Sequence, residues 1–401
     1  MADIELPRFS PELALVAACS RWPFRAGEEQ EVRNRVATGI DWNLFLAWIR
    51  RNRVAPLVYR NLQQALGPSI PEALMLELQS ECKRHALRSL RQISEAVRMT
   101  GLLAAAGIRS MVVKGPTLAE LAFGNPMLRE SEDIDFLIDP ARLREADRVI
   151  TQAGYRRIVP QVEMTASQHE VYRRRRCQFS YYSETHGIFL ELHWRLTSNP
   201  FLMPTDAASL WNRSQQIRMS GVNVSTLPDE YLLLYLCVHA SVHMWFRLKW
   251  LADIAALLQQ LLPEAIEQIA KQARALEVDR SFHQAVILAH GLMGAAVPSR
   301  VLTDACCDGT ARRLAIAGCR ALNWHGSPEE PIKSQWFSVW VNWNAFRLRP
   351  GLRFRWKELQ NQMFSPEDWA RVQLPQRLSM LYLPLRPLSW VSRHVHRLVT
   401  R

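Results

Sequence analysis

Two aspartates, Asp133 and Asp135, stand two residues apart in the segment DIDFLID. Alternate residues of a β-strand point to the same face, so this spacing predicts two neighbouring carboxylates, with Ile134, Phe136 and Ile138 on the buried face. Such a pair favours a cation between the two charges, and Mg²⁺ prefers carboxylate and phosphate oxygens. The chemistry indicated is metal-dependent phosphoryl or nucleotidyl transfer. A pair of capping or solvated aspartates is the alternative.

A glycine turn lies upstream, where the apolar run IRSMVV leads into Lys114, Gly115 and Pro116 and then into a helical pattern. A strand that enters a helix through such a turn offers backbone N–H groups and the positive end of the helix dipole to a phosphate. Lys114 adds a positive charge. Pro116 removes one N–H donor, and the hydroxyl of Thr117 is the expected replacement.

A third acidic residue, Glu191, lies downstream in the segment GIFLELHW. On a strand it shares one face with Phe189 and His193, which makes it a candidate third carboxylate of the same site. An ordinary surface strand is the alternative interpretation. A glycine turn, an aspartate pair and a later acidic residue in one domain are much rarer together than any of them alone.

These residues carry a family resemblance. The stretch VVKGPTLAELAFGNPMLRESEDIDFLID resembles the active-site region of the polymerase-β-type nucleotidyltransferase superfamily. It is most similar to a branch known as uncharacterised nucleotidyltransferase family proteins, found in bacterial polysaccharide and peptide biosynthesis loci. The matching positions are Lys114-Gly115, Arg129, Asp133-Ile134-Asp135, Glu191-Leu192-His193-Trp194 and the segment VHASVHMWFRLKWLADI.

The resemblance implies that Asp133 and Asp135 bind two Mg²⁺ ions and that Glu191 completes the catalytic set. An acceptor hydroxyl would attack the α-phosphate of an NTP, with ATP the expected donor, and pyrophosphate would leave. The resemblance also implies a set of nucleotide-binding residues: Lys114, Gly115, Thr117, Arg129, His193, His239, His243, Arg247 and Lys249.

His239 and His243 are four residues apart and so share one face of a predicted helix. No glutamate lies between them, which excludes the HExxH metalloprotease pattern. A buried or hydrogen-bonded pair is preferred to a zinc site. Further along, Lys249 and Asp253 have the spacing of an ion pair within a helix.

For two other features, a structural role is preferred to a functional one. Arg173 to Arg176 form a run of four arginines before a predicted strand, which is typical of a solvated loop or strand edge. Guidance of a polyanionic acceptor is the alternative role of this run. Trp245 and Trp250 are expected to pack against apolar side chains rather than to stack on a base.

The pattern of strands, helices and turns predicts an α+β fold. A nucleotidyltransferase-like mixed α/β core is flanked by N-terminal helices and a C-terminal helical bundle, and the site is expected between the sheet and the bundle. The predicted divisions are an N-terminal helical region at 1–105, the core at 106–226, the helical bundle at 227–342 and a basic, Trp-rich C-terminal segment at 343–401.

The charge balance has a local origin. The chain has 401 residues and a net charge of +12, which suggests a nucleic-acid or anionic-membrane partner. The last 59 residues contain 11 basic and 3 acidic residues, so most of the excess lies there. A nucleic-acid partner is therefore not favoured, and peripheral membrane contact through this segment stays an alternative. The core is nearly neutral, so the predicted chemistry depends on its carboxylates.

Other sequence features limit the location and the type of protein. Asp3 and Glu5 stand where a signal peptide would be basic, and no apolar run approaches the length of a membrane span. Seven cysteines, an odd number without a CxxC pair, argue against a disulfide framework and a Cys-based zinc site. The expected location is the cytoplasm.

The predicted function is Mg-dependent transfer of a nucleoside monophosphate from an NTP to an unidentified acceptor, in a polysaccharide or peptide biosynthesis pathway. Three alternatives use the same residues. They are a catalytically silent nucleotide-binding scaffold, a kinase-like phosphotransferase and a toxin-type nucleotidyltransferase.

Overall fold

The structure is a computed structural model that describes residues 5–204 and 207–366. It begins with five helices. Ser10 and Asp41 cap two of them by accepting hydrogen bonds from backbone N–H groups in the first turn. The five helices are α1 (Pro11–Cys19), α2 (Ala26–Ala37), α3 (Trp42–Asn52), α4 (Ala55–Leu66) and α5 (Glu72–Ala105).

A five-stranded mixed sheet follows, in the order β1-β2-β5-β4-β3. The pair β2 and β5 is parallel, and the other neighbours are antiparallel. The strands are β1 (Ser110–Val112), β2 (Asp133–Ile138), β3 (Arg156–Val159), β4 (Gln178–Ser183) and β5 (Ile188–His193). A separate antiparallel pair consists of β6 (Gln215–Met219) and β7 (Val222–Thr226).

Helices connect these strands. The connections are α6 (Pro116–Phe123), α7 (Leu143–Gln152), α8 (Ala166–Arg175) and α9 (Ala207–Asn212). The C-terminal half is helical, with α10 (Asp229–Val242), α11 (Leu248–Leu258), α12 (Pro263–Ala275), α13 (Asp279–Met293), α14 (Ser299–Cys307), α15 (Gly309–Leu322), α16 (Gln335–Ala345) and α17 (Leu352–Gln362).

The two faces of β2 serve different purposes. Ile134, Phe136 and Ile138 are buried in a cluster with residues of α5 and α7. The other face carries Asp133 and Asp135 toward the helices of the C-terminal half. One face therefore stabilises the sheet through apolar burial, and the other is left for polar side chains.

A second apolar cluster joins the N-terminal helices to the C-terminal ones. It includes Trp48 and Val58 from the first group and Leu234, Ile254 and Phe282 from the second. Within residues 5–204 and 207–366, none of the helices has the length and hydropathy that spanning a bilayer requires.

The predicted α+β class is confirmed, and the elements expected around the aspartates are present. The four-part division of the chain stays a prediction. Residues 367–401, which make up most of the predicted basic, Trp-rich segment, lie outside the described residues.

Candidate active site

A cavity of about 660 Å³ lies between the polar face of the sheet and the C-terminal helices. Its floor contains residues of β2, β4 and β5, and α10 and α11 form one wall. A second wall comes from α16 and α17. Most of the predicted site residues line the cavity, namely Lys114, Arg129, Asp133, Asp135, Glu191, His193, His239, His243, Arg247 and Lys249.

The parallel pairing of β2 and β5 brings the acidic residues together. Asp135 lies directly opposite Glu191 in the register, and Asp133 lies opposite Phe189. The ring nitrogen Nε2 of His193 is 3.1 Å from Asp135 Oδ1 and 3.3 Å from Glu191 Oε2. The ligand atoms of Asp135, Glu191 and His193 all lie within 4.8 Å of one another. Asp133 lines the same cavity without belonging to this group of three.

Lys114 balances the charge of Asp135. Its Nζ atom is 3.0 Å from Asp135 Oδ1, and the Asp135 side chain is fully buried. Burial acts to raise the pKa of Asp135, but Lys114 and His193 hold it well below its usual range. Burial, together with the charge of Asp135, raises the pKa of Asp133 to about 6. The second oxygen of Asp135, Oδ2, is buried and has no hydrogen-bond partner.

Gly115 makes the turn that places Lys114. Its φ of +69° is in the left-handed region, and an added Cβ would come within 3.2 Å of the Asp133 carbonyl oxygen. Thr117 is fully buried, and its hydroxyl donates to the carbonyls of Val112 and Lys114. Gly115 and Thr117 therefore shape the turn, and the predicted use of the Thr117 hydroxyl for phosphate is not favoured.

Arg129 forms a buried ion pair on the cation-rich side of the cavity. Its Nε atom donates to Asp253 Oδ1 at 2.9 Å, and both side chains are at most 5% exposed. The predicted pair of Lys249 with Asp253 is therefore wrong, because Arg129 reaches Asp253 from a distant segment. Lys249 Nζ instead donates to the Glu130 carbonyl at 3.3 Å. Burial and the charge of Arg129 lower the pKa of Lys249 to about 7.

His239 and His243 line the cavity at the end of α10. Their ring centroids are 4.7 Å apart, and the His243 ring stacks on Trp250 at 5.4 Å. Burial and the charge of Lys114 lower the pKa of His239, so its ring is held neutral. Trp245 is buried within the helical half and donates to Gln284, in agreement with its expected packing role.

The N-terminal helices also reach the cavity. Arg53, just after α3, lines it and pairs with Glu132 at 2.7 Å. Arg247 donates to the Arg51 carbonyl at 2.6 Å and to Glu330 at 2.9 Å. Arg51 is buried, and its guanidinium donates to the carbonyls of Ala321 and Leu322 at the end of α15.

The arginine run lies elsewhere than predicted. Arg173, Arg174 and Arg175 are the last three residues of α8, so the expected loop or strand edge is wrong. Cations at a helix C-terminus are stabilised by the helix dipole. Arg176 donates to the carbonyls of Asn361 and Phe364, which attaches the C-terminal helix α17 to the sheet.

Residues that sequence reasoning missed complete the walls. Tyr235 is buried beneath the cavity, and its ring lies 5.7 Å from Lys114 Nζ. Tyr235 stands four residues before His239 on the predicted helix, so the sequence could have placed it on the same helix face as the two histidines. Arg53 and the wall of α16 and α17 had no such signal. That wall consists of Asn342, Ala345, Glu358, Asn361 and Gln362.

A second group of two aspartates and a histidine occurs in the helical half. The ligand atoms of Asp279, His283 and Asp308 also lie within 4.8 Å of one another. His283 Nδ1 is 3.2 Å from Asp308 Oδ2. The other oxygen of Asp308 accepts hydrogen bonds from the N–H groups of Thr310 and Ala311, which caps α15.

Comparison with known proteins gives one family match. The sequence model of a family described as "Uncharacterised nucleotidyltransferase" matches residues 38–294, more than half of the chain. No curated protein matches it in sequence.

Two solved structures show a faint likeness. The solution structure of the antibiotic-resistance factor ANT(2'')-Ia has 13% identity and a TM-score of 0.33, over 46% of this chain and 91% of that one. The crystal structure of an antigenic nucleotidyltransferase-like protein from Paracoccidioides brasiliensis has 14% identity and a TM-score of 0.31, over 53% and 96%. At these scores neither structure bears on the function of this chain.

Proposed function

Because the chain belongs to the uncharacterised nucleotidyltransferase family, we propose that it transfers a nucleoside monophosphate from an NTP, with ATP the expected donor, to the hydroxyl of an acceptor. One observation supports this most strongly. Asp135 lies opposite Glu191 on parallel strands, at the floor of a cavity that also contains a cluster of cations. Carboxylates beside cations suit a metal-bound triphosphate.

The residues on the floor fit a divalent cation such as Mg²⁺. Asp135 has a buried oxygen without a hydrogen-bond partner, and Glu191 presents a second carboxylate across the strand pair. We assign Asp133, Asp135 and Glu191 to the metal, because carboxylate oxygens are the ligands that Mg²⁺ prefers. When bound, the cation neutralises phosphate charge and acidifies an acceptor hydroxyl.

We assign the triphosphate to the side of the cavity near β1 and β2. Arg53, Arg129, Arg247 and Lys249 all line the cavity, and they bring positive charge from the end of α3, the start of α11 and the loop before β2. Guanidinium groups hold phosphate oxygens in a fixed geometry, and an ammonium group acts as a point charge. The β- and γ-phosphates placed here would leave the α-phosphate above the carboxylates.

We assign the acceptor to the opposite side, near β4, β5 and α17. Gln178, Asn199, Asn361 and Gln362 line this side with neutral amides. The acceptor oxygen forms a bond to the α-phosphorus, the bond from that phosphorus to the bridging oxygen of the β-phosphate breaks, and pyrophosphate leaves. We assign the role of accepting the hydroxyl proton to Glu191, whose side chain is 22% exposed.

The test uses α- and γ-labelled NTPs with Mg²⁺ and a lysate of the host cell. We expect α-label in a product of the intact chain and none with Asp133→Ala or Asp135→Ala. Asp139→Ala is the matched control, because Asp139 comes directly after the same strand and caps a short helical turn through the N–H of Ala141. Circular dichroism checks that each variant is folded.

Transfer of γ-label alone would overturn the proposal in favour of a kinase. A product that forms equally well with Asp135→Ala would also overturn it, because the carboxylates would then be irrelevant to the reaction. An absence of Mg²⁺-dependent NTP binding in calorimetry would reject the metal site itself.

A further inference from the structure

Two helices near the C-terminus expose an unusual amount of apolar surface. Trp336 is 80% exposed, Trp343 is 64% exposed and Trp356 is 61% exposed, although tryptophan is usually well buried. We call this surface the tryptophan face. It consists of Trp336, Val339 and Trp343 on α16 and of Leu352, Trp356 and Leu359 on α17.

The spacing makes each half of the tryptophan face continuous. On α16 the three residues follow i, i+3 and i+7, and on α17 they follow i, i+4 and i+7, which places each set on one side of its helix. The opposite sides pack against the protein. Phe337 on α16 and Phe354 on α17 are each 2% exposed. Both helices are therefore amphipathic, with a packed side and an apolar side turned outward.

Basic residues surround this face. Residues 333–366 contain six basic residues and one acidic residue. Lys333, Arg347, Arg353 and Arg355 are exposed, and the last two flank Trp356 on α17. Exposed tryptophans among cations are typical of amphipathic helices that lie in the interface of an anionic bilayer.

A second copy of the chain or residues 367–401 could also cover the tryptophan face, but charge argues against both. A second copy of the chain would bring two cationic surfaces together, which costs free energy. Residues 367–401 contain six basic and two acidic residues, so they are also net positive. An anionic surface complements the tryptophan face, and neither of these candidates does.

We propose that the tryptophan face binds the surface of an anionic lipid bilayer, with the indole rings at the level of the headgroups and the arginines on the lipid phosphates. This binding is peripheral. It is independent of the reaction proposed for the cavity, because it uses the outward sides of α16 and α17. The inward sides of the same helices contribute the buried residues Ala345 and Asn361 to the cavity wall.

The test measures co-sedimentation of the full-length chain with two kinds of vesicle. One is pure phosphatidylcholine, and the other contains phosphatidylglycerol as well. We expect binding to the anionic vesicles, with a blue shift of tryptophan fluorescence, and little binding to the neutral ones. Added salt should weaken the binding, because the attraction between exposed charges is screened.

Substitutions then locate the binding surface. We expect Trp343→Ser with Trp356→Ser to weaken binding at least tenfold, and Arg353→Gln with Arg355→Gln to weaken it about fivefold per arginine. Leu87→Ser with Leu90→Ser is the matched control, because these α5 residues are 59% and 55% exposed and lie far from α16 and α17 in the sequence. Thermal unfolding should be unchanged in all of these variants, because the substituted side chains are exposed.

Three results would overturn the proposal. The first is an absence of binding to anionic vesicles. The second is binding that the tryptophan substitutions leave unchanged, which would assign it to residues 367–401 or another basic surface. The third is a dimer in sedimentation velocity that the tryptophan substitutions dissociate, since the face would then be an interface between copies.

Discussion

Within residues 5–204 and 207–366, two groups combine two carboxylates with one histidine, so both offer the same kinds of ligand atom. Asp135, Glu191 and His193 lie on two strands at the floor of the cavity, whereas the second group lies on α13 and at the start of α15. In each group, all ligand atoms lie within 4.8 Å of one another. Residue type and proximity therefore do not distinguish a candidate active site from a structural cluster.

The two groups differ in the hydrogen bonds that their carboxylate oxygens already make. In the second group, one oxygen of Asp308 caps α15 and the other contacts His283, so the carboxylate is fully used by the fold. In the first group, Asp135 has a buried oxygen without a partner, beside Lys114 and next to a cation-rich wall. A buried polar atom without a partner is costly, which makes it a marker for a ligand.

The largest effect should separate the two groups by activity. We expect Asp135→Asn to lower nucleotidyl transfer about 1,000-fold or more, because a bound cation supplies several kcal/mol of transition-state stabilisation. Asp308→Asn should leave transfer unchanged, since asparagine also caps helices well. The measurement is the initial rate with α-labelled NTP. Equal losses in the two variants would remove the distinction between the groups.

A second contrast concerns the ion pairs next to each group. Arg129→Met should destabilise the chain by about 3 kcal/mol or more, because Asp253 would remain buried without its partner. Arg274 pairs with Asp304 between α12 and α14, and these two side chains are 55% and 41% exposed. Arg274→Met should therefore cost less than about 1 kcal/mol.

Urea unfolding monitored by circular dichroism measures both effects. The double variant Arg129→Met with Asp253→Leu should recover much of the loss, since it removes the unpaired charge as well. A similar cost for Arg129→Met and Arg274→Met would contradict the view that burial separates these pairs.

A third, smaller effect tests the structural role of the second group. Asp308→Ala should destabilise the chain by about 1 kcal/mol, because it removes the cap of α15. Asp279→Ala should change stability by less than about 0.5 kcal/mol, as is usual for a substitution near the surface. Thermal unfolding detects the difference. If Asp308→Ala abolished transfer while remaining folded, the second group would have a functional role.

The smallest effect is a pH dependence. Partial burial acts to raise the pKa of Asp308, but the N–H of Ala311 and the ring of His283 outweigh it and lower this pKa. A carboxyl with a lowered pKa stabilises the fold fully above its unfolded value, about pH 4, and loses this contribution as pH falls through the folded value. The stability difference between the wild type and Asp308→Ala should therefore be constant from about pH 7 to pH 5 and shrink below about pH 4. A constant difference at all pH values would show that the charge of Asp308 is unimportant.

Local periodicity predicted the floor of the candidate site. The alternation in DIDFLID and FLELH placed Asp133, Asp135 and Glu191 on strands, because a period of two depends only on neighbouring residues. The match of the aspartate segment to a nucleotidyltransferase family agrees with the family model over residues 38–294. The metal and nucleotide roles of the individual residues stay proposals.

The walls of the cavity could not be predicted in this way. Arg53 comes from the N-terminal helices, and α17 comes from a segment whose structure the sequence left open. The predicted ion-pair partner of Asp253 was wrong for the same reason. A spacing of four residues favours Lys249, but tertiary packing brings Arg129 from 124 residues away.

The buried guanidinium of Arg51 has a consequence for how the chain is made. It bonds the carbonyl of Leu322, 271 residues further along. A ribosome that adds about 5–20 residues per second needs about 14–54 seconds to cover that distance. During this interval the Arg51 guanidinium lacks this carbonyl partner, although α10 and α11, which pack on the N-terminal helices, are made earlier. The cavity is thus a late product of translation, completed only when its last wall has left the ribosome.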